Sequence, residues 1–114
     1  MLDIKTRNVG DITVLDLSGS LLIGLGLELL RPRIEKLAAE QHVNVVLNAK
    51  DVSVIDSAGV GDLVASYSLL KRSGGSLKIA NPGKMVRDVL RIARIPTLIE
   101  VFDTVDEAVA AFGK

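Results

Sequence analysis

The segment Asp56-Ser57-Ala58-Gly59-Val60-Gly61 sets a carboxylate and a hydroxyl side by side where an apolar run gives way to a helical pattern. Before it, Val52-Ser53-Val54-Ile55 is mostly β-branched and reads as the end of a strand. After it, Val60, Leu63, Val64, Tyr67 and Leu70 recur at the spacing of one helical face. This spacing puts Ser57 at or near the N-cap, where its side-chain oxygen can accept a hydrogen bond from a free backbone N–H of the first turn. The same geometry suits an anion, because unpaired N–H groups and the positive end of the helix dipole face it. A phosphate carried by Ser57 would bring about −1.5 to −2 charges to that point. Capping and phosphate acceptance are compatible uses of one serine. Gly59 and Gly61 are expected to leave the surface of the turn without bulk, so that another protein's active site can approach. Asp56 is expected to shape the turn and to show a carboxylate to whatever docks there.

Other candidates for chemistry are weaker. The single histidine, His42, stands between a helical pattern and a strand without an obvious catalytic acid or nucleophile nearby in sequence, and suits a cation at a helix C-terminus. Gly74-Gly75 and Pro82-Gly83-Lys84 read as turns: neither has the spacing of a P-loop, and no GxGxxG follows the first strand. Asp51 and Asp56 flank a strand end and have the composition of a magnesium pair or of a general acid and base. Without a nucleophile–base pair, however, the chain reads as a non-enzyme with neither metal nor cofactor. The absence of cysteine excludes disulfides, thiolate metal sites and a cysteine nucleophile. Fourteen basic residues balance fourteen acidic ones, which gives no overall attraction to nucleic acid or anionic lipid. The longest apolar stretch, Leu21 to Leu30, contains Gly24, Gly26 and Glu28 and falls short of the roughly 20 residues of a membrane span. The N-terminal residues lack a signal-peptide pattern, and a cytoplasmic location is expected.

The elements that must hold the motif follow from periodicity and turn signals. Leu2 to Arg7 and Ile12 to Leu17 read as strands of a hairpin closed by Asn8-Val9-Gly10-Asp11. A first helix presents Leu27, Leu30, Ile34, Leu37 and Ala38 on one face. Val43 to Leu47 is almost wholly apolar, as a strand buried on both faces should be. The motif helix is predicted over Ser57 to Arg72 and is stopped by Ser73-Gly74-Gly75. Leu77 and Ile79 mark a short strand. Asn81-Pro82-Gly83 then opens a third helix with Met85, Val86, Val89, Leu90 and Ala93 inward and Arg87, Asp88, Arg91 and Arg94 outward, ended by Pro96. Leu98 to Phe102 is a last strand. Thr104 and Glu107 form a capping box before Val105, Ala108, Val109 and Phe112. The order ββαβαβαβα, with helical crossovers after an opening hairpin, predicts an α/β fold with a mixed sheet of about five strands and four helices. At 114 residues, 48% hydrophobic and only 3% aromatic, it should form a single domain over 1–114 with an aliphatic core.

In this setting the motif resembles the phosphorylation site of bacterial anti-sigma factor antagonists, which are single STAS domains. The similarity extends over almost the whole chain. Leu17-Ser18-Gly19, Val46-Leu47-Asn48, the motif, Gly74-Gly75 and Asp106-Glu107-Ala108 appear in the family's order. The resemblance implies that Ser57 is phosphorylated by a partner anti-sigma factor that is also a serine kinase and carries the ATP and magnesium. It implies too that the unphosphorylated antagonist binds this kinase and frees a sigma factor, and that a separate phosphatase acts on phospho-Ser57. Asp56, Ser57, Ala58, Gly59, Val60 and Gly61 are then the expected partner-binding residues.

Two positions depart from the family pattern. Ala58 replaces a second hydroxyl residue, which makes Ser57 the less ambiguous acceptor. After Gly19, Ser20-Leu21-Leu22-Ile23 replaces a polar loop containing acidic residues. Leu22, Leu25 and Leu29 thereby form an apolar stripe that is either core or an exposed partner surface, and Pro32 should bend or break a helix begun well before it. This stripe, with Leu22 and Leu25 as candidate partner contacts, supports a second reading: a STAS subunit, not phosphorylated, serving as a structural or interaction component of a lipid-transport or stress-signalling assembly.

Overall fold

The computed structural model describes residues 2–22 and 27–113, with the side chains of 27–29 also outside the description. The order is β1 (Leu2–Val9), β2 (Ile12–Leu21), α1 (Leu27–Ala39), β3 (Asn44–Ile55), α2 (Ser57–Arg72), β4 (Ser76–Ala80), α3 (Lys84–Ile92), a 3-10 turn (Ile95–Thr97), β5 (Val101–Phe102) and α4 (Val105–Phe112). The expected ββαβαβαβα succession is present. Its five strands lie in chain order across one sheet: β1 pairs antiparallel with β2, and β2, β3, β4 and β5 pair in parallel.

Strand side chains alternate between faces, and the two faces carry separate apolar layers. Leu15, Val45, Leu47, Leu77 and Ile79 point to one side, where Leu30, Ile34 and Leu37 of α1, Leu63 and Leu70 of α2, and Val86 and Leu90 of α3 cover them. On the other side, Val14, Val46 and Ala80 meet Ala108 of α4, flanked by Phe102, Val105, Val109 and Phe112. The helix α4 begins as expected: Thr104 Oγ1 accepts from the Glu107 N–H, and the Glu107 carboxylate accepts from the Thr104 N–H. On the hairpin, Arg7 Nε donates to Asp16 Oδ2 at 2.7 Å and Asn48 Nδ2 donates to Asp16 Oδ1 at 2.8 Å. Arg7 above all, against a modest opposing effect of burial, holds the Asp16 carboxyl below its ordinary range.

Several details differ from the expectation. The runs Val43 to Leu47 and Val52 to Ile55 are one strand, β3, because β2 also extends, past Leu17, to pair Ser18 with Asp51 and Leu21 with Ile55. Two irregularities in that register, between Asp16 and Ser18 and between Gly19 and Ser20, accommodate Gly19 at φ +113°. In α3, Met85 is 57% exposed and Ala93 is exposed, leaving Val86 and Leu90 as the buried residues. A nine-residue helix packed on the sheet needs only a narrow apolar seam. The last strand shrinks to Val101–Phe102, since the chain first makes the 3-10 turn on Pro96, anchored by buried Ile95 and Ile99. Pro32 lies inside α1 without terminating it.

Candidate functional site

Strand β3 delivers the motif. Its backbone stays extended through Asp56 (φ −111°, ψ −176°), so Asp56 is the N-cap of α2, with its Oδ1 accepting from Gly59 N–H at 2.8 Å. The expectation that Ser57 itself occupies or adjoins the cap resolves to the neighbouring position. Ser57 is the first helical residue, exposed, and its hydroxyl makes no hydrogen bond among the described residues. The physical reason is that two good capping residues stand in succession and the strand's direction assigns the extended conformation to the first. The capping need is thus met without Ser57, and its oxygen stands at the positive end of a 16-residue helix.

The two glycines of the motif face opposite ways. Gly61 is exposed, and a Cβ there would meet nothing within 4 Å. Gly59, expected to lie open at the surface, is buried. A Cβ on it would collide with the Leu21 carbonyl oxygen and lie 2.7 Å from Ile55 Cγ1. Gly59 therefore lets α2 approach the ends of β2 and β3, where Asp56 N–H also donates to Leu21 O at 3.3 Å. This close approach rotates the helix. Gly59, Asp62, Leu63, Ser66 and Leu70 are its buried residues, whereas Val60, Val64 and Tyr67, expected inside, are only partly covered. Asp62 is buried because Arg31 of α1 reaches it, Nε to Oδ1 at 2.8 Å and Nη2 to Oδ1 at 2.7 Å. No sequence signal in α2 alone marks that pair, whose members are 31 residues apart.

Beside Ser57 lies an apolar cleft of about 280 Å³ walled by Val60 of α2 and by Val89, Ile92 and Ala93 at the end of α3. Ile92 is 82% exposed on its rim. Val60 is expected at the site, whereas Val89 and Ala93 are expected in the core, and the cleft brings Ile92 to them. The available signal was an apolar set, Val89, Leu90, Ile92 and Ala93, wider than a short helix needs to bury. Ala58 is half-buried next to Ser57. Of the two leucines proposed as partner contacts, Leu22 is half-buried and directly follows Leu21, the residue paired with Ile55, so it adjoins the motif. Leu25 lies outside the described residues.

The remaining candidates are elsewhere or otherwise engaged. His42 is exposed ahead of β3, with the strand's full length separating it from Ser57. Asp51 is exposed on β3 and Asp56 is the cap. Among the described residues, no three histidine, aspartate or glutamate side chains gather as metal ligands, and no helix is long and apolar enough to cross a membrane.

The mixed five-stranded sheet with its four helices is a STAS fold, and the STAS domain family model matches residues 3–108. The chain belongs to the STAS-domain family of anti-sigma factor antagonists. It is 31% identical over 99 residues to the anti-sigma-B factor antagonist of Bacillus subtilis, an alignment covering 87% of each chain. An anti-sigma factor antagonist from Mycobacterium paratuberculosis has the same fold, with a TM-score of 0.90 over 100% of this chain and 96% of that one at 18% identity. The phosphorylated form of the Bacillus cell fate determinant SpoIIAA superposes with a TM-score of 0.72 over 96% and 98% of the two chains at 22% identity.

Proposed function

We propose that this protein is a phosphorylation-controlled binding protein that acts without catalysis. In its unmodified state it holds an anti-sigma factor with serine kinase activity and so frees a sigma factor. Phosphorylation of Ser57 by that kinase ends the interaction, and a phosphatase restores it, all in the cytoplasm. The observation that carries this reading is the placement of Ser57: exposed, relieved of capping by Asp56, at a helix start and on the rim of an apolar cleft. A kinase needs an accessible hydroxyl, and a binding partner needs apolar area beside it. Val60, Val89 and Ile92 offer that area and Gly61 offers clearance, so one surface serves both acts. A phosphate there is tolerated by the helix dipole but costs a partner the desolvation of added charge next to Asp56. The 31% identity to an anti-sigma-B factor antagonist supports the partner class.

The test is incubation of the protein and its Ser57→Ala variant with the cognate anti-sigma factor and Mg-ATP, followed by phosphosite mapping by mass spectrometry. One phosphate on Ser57, absent from the variant, is expected. Stoichiometric phosphate at Ser66, Ser68 or a threonine refutes the assignment.

A further inference from the structure

The cations of α3 are nearly all committed. Lys84 and Arg91 both pair with Asp88, and Arg87 Nη2 lies 3.0 Å from Asp103 Oδ1. Arg94, exposed just past the helix, pairs with no carboxylate among the described residues. Its chain neighbour Ala93 lines the cleft that Ser57 borders. The root of this side chain is also fixed. Arg94 adopts φ +60°, ψ +29°, its N–H donates to Arg91 O at 3.0 Å, and its carbonyl accepts from Thr97 N–H at 3.2 Å and Thr97 Oγ1 at 2.6 Å. Glycine or asparagine is the usual residue in this left-handed conformation at a helix end. Gln41 closes α1 in the same conformation, so the backbone alone does not single Arg94 out. What does is a guanidinium that pairs with no carboxylate among the described residues, carried by the residue that directly follows Ala93 of the cleft Ser57 borders.

We propose that Arg94 is the intramolecular receptor of a phosphate on Ser57, and that the pair closes over the mouth of the cleft between α2 and α3. The proposal rests on the reading of Ser57 as a phosphate carrier and adds where the phosphate goes. A planar guanidinium donates two N–H groups at once to phosphate oxygens. Asp56 is the carboxylate alongside and opposes the added charge. The α2 dipole favours it, and the carboxylates of Asp88 and Asp103 are already engaged by other cations. The switch then acts twice, by adding charge and by covering the apolar cleft.

The test uses the full chain with phosphoserine incorporated at position 57 during translation, so no kinase takes part, and follows the second ionisation of the phosphate by phosphorus NMR against pH. The forms compared are the otherwise native chain, Arg94→Gly, Arg94→Lys and Arg91→Gln, each checked for native folding by its amide spectrum. Glycine suits the left-handed backbone and removes only the cation. Loss of Arg94 is expected to raise the second phosphate pKa by about 0.3 or more, since a nearby opposite charge favours the dianion. Arg94→Lys should retain most of the native value and Arg91→Gln should leave it unchanged. The same value in the native and Arg94→Gly proteins overturns the proposal, as does an equal rise in Arg91→Gln, which would mark a diffuse field in place of a specific pair. Whether a kinase reaches Ser57 is answered separately by phosphosite mapping.

Discussion

Replacing Gly59 and Gly61 by alanine, one at a time, asks whether α2 is held against the strand ends as closely as its geometry indicates. Both residues lie inside the same helix, where alanine is favoured over glycine by about 0.8–1 kcal/mol, so propensity alone stabilises both variants. At Gly61 nothing lies within 4 Å of the added methyl, and the full gain of up to about 1 kcal/mol is expected. At Gly59 the methyl meets the Leu21 carbonyl oxygen and Ile55 Cγ1. The first is backbone, already engaged with the Asp56 N–H, and cannot rotate away. Overpacking of this kind costs about 1–3 kcal/mol, and more where backbone must move. The propensity gain offsets part of this, leaving Gly59→Ala about 1–2 kcal/mol less stable than the native protein. The two variants should therefore separate by about 2–3 kcal/mol and bracket the native value in urea denaturation. A Gly59→Ala protein as stable as Gly61→Ala would show that the helix sits farther from β2 than described, and with it Ser57.

Other consequences are as direct. Ile92→Ser should leave stability within about 0.5 kcal/mol, as exposed substitutions usually do, and weaken binding of the anti-sigma factor in calorimetry; unchanged binding would remove the cleft from the partner surface. Arg31→Ala should destabilise more than Asp62→Asn in denaturation, by on the order of 2 kcal/mol or more, because it leaves a buried carboxylate unpaired whereas the reverse loss leaves a half-exposed guanidinium in water; the opposite order would count against the pair. Lys78, buried with its Nζ 4.7 Å from the Phe112 ring centre and paired with Glu100, should tolerate Lys78→Met within about 1 kcal/mol, since a charge taken from water regains little net energy. The depressed Asp16 carboxyl contributes stability that is complete above its ordinary value of 3.8 and is lost as pH falls through the lower folded value; Asp16→Asn should flatten that acid limb of the melting profile.

The element order was readable because each segment advertises its period and its ends. Val43 to Leu47 is almost wholly apolar, Thr104 and Glu107 bracket a capping box, and Ser73-Gly74-Gly75 closes α2. Position 57 was readable for the same reason, since a helical stripe after a β-branched run locates a helix start. What the sequence did not show depends on contacts distant along the chain. The rotation of α2 is set by Leu21, 38 residues before Gly59, and by Arg31, so Val60, Val64 and Tyr67 pack against the core only at its margin. Met85 and Ala93 were assigned inward because α3 carries more apolar residues than its seam on the sheet uses. Of that surplus, Ala93 joins Val89 and Ile92 in walling the cleft beside Ser57, and only folding brings residues 57 and 60 next to 89, 92 and 93.

The most direct test of the phosphorylation switch is the affinity of the unmodified and the phospho-Ser57 protein for the cognate anti-sigma factor, measured by titration calorimetry under one set of nucleotide and salt conditions. The expected result is tight binding of the unmodified protein and at least tenfold weaker binding of the phosphorylated one, about 1.4 kcal/mol or more, with the two circular dichroism spectra superimposable. Equal affinities, from a sample fully phosphorylated at Ser57, would contradict it.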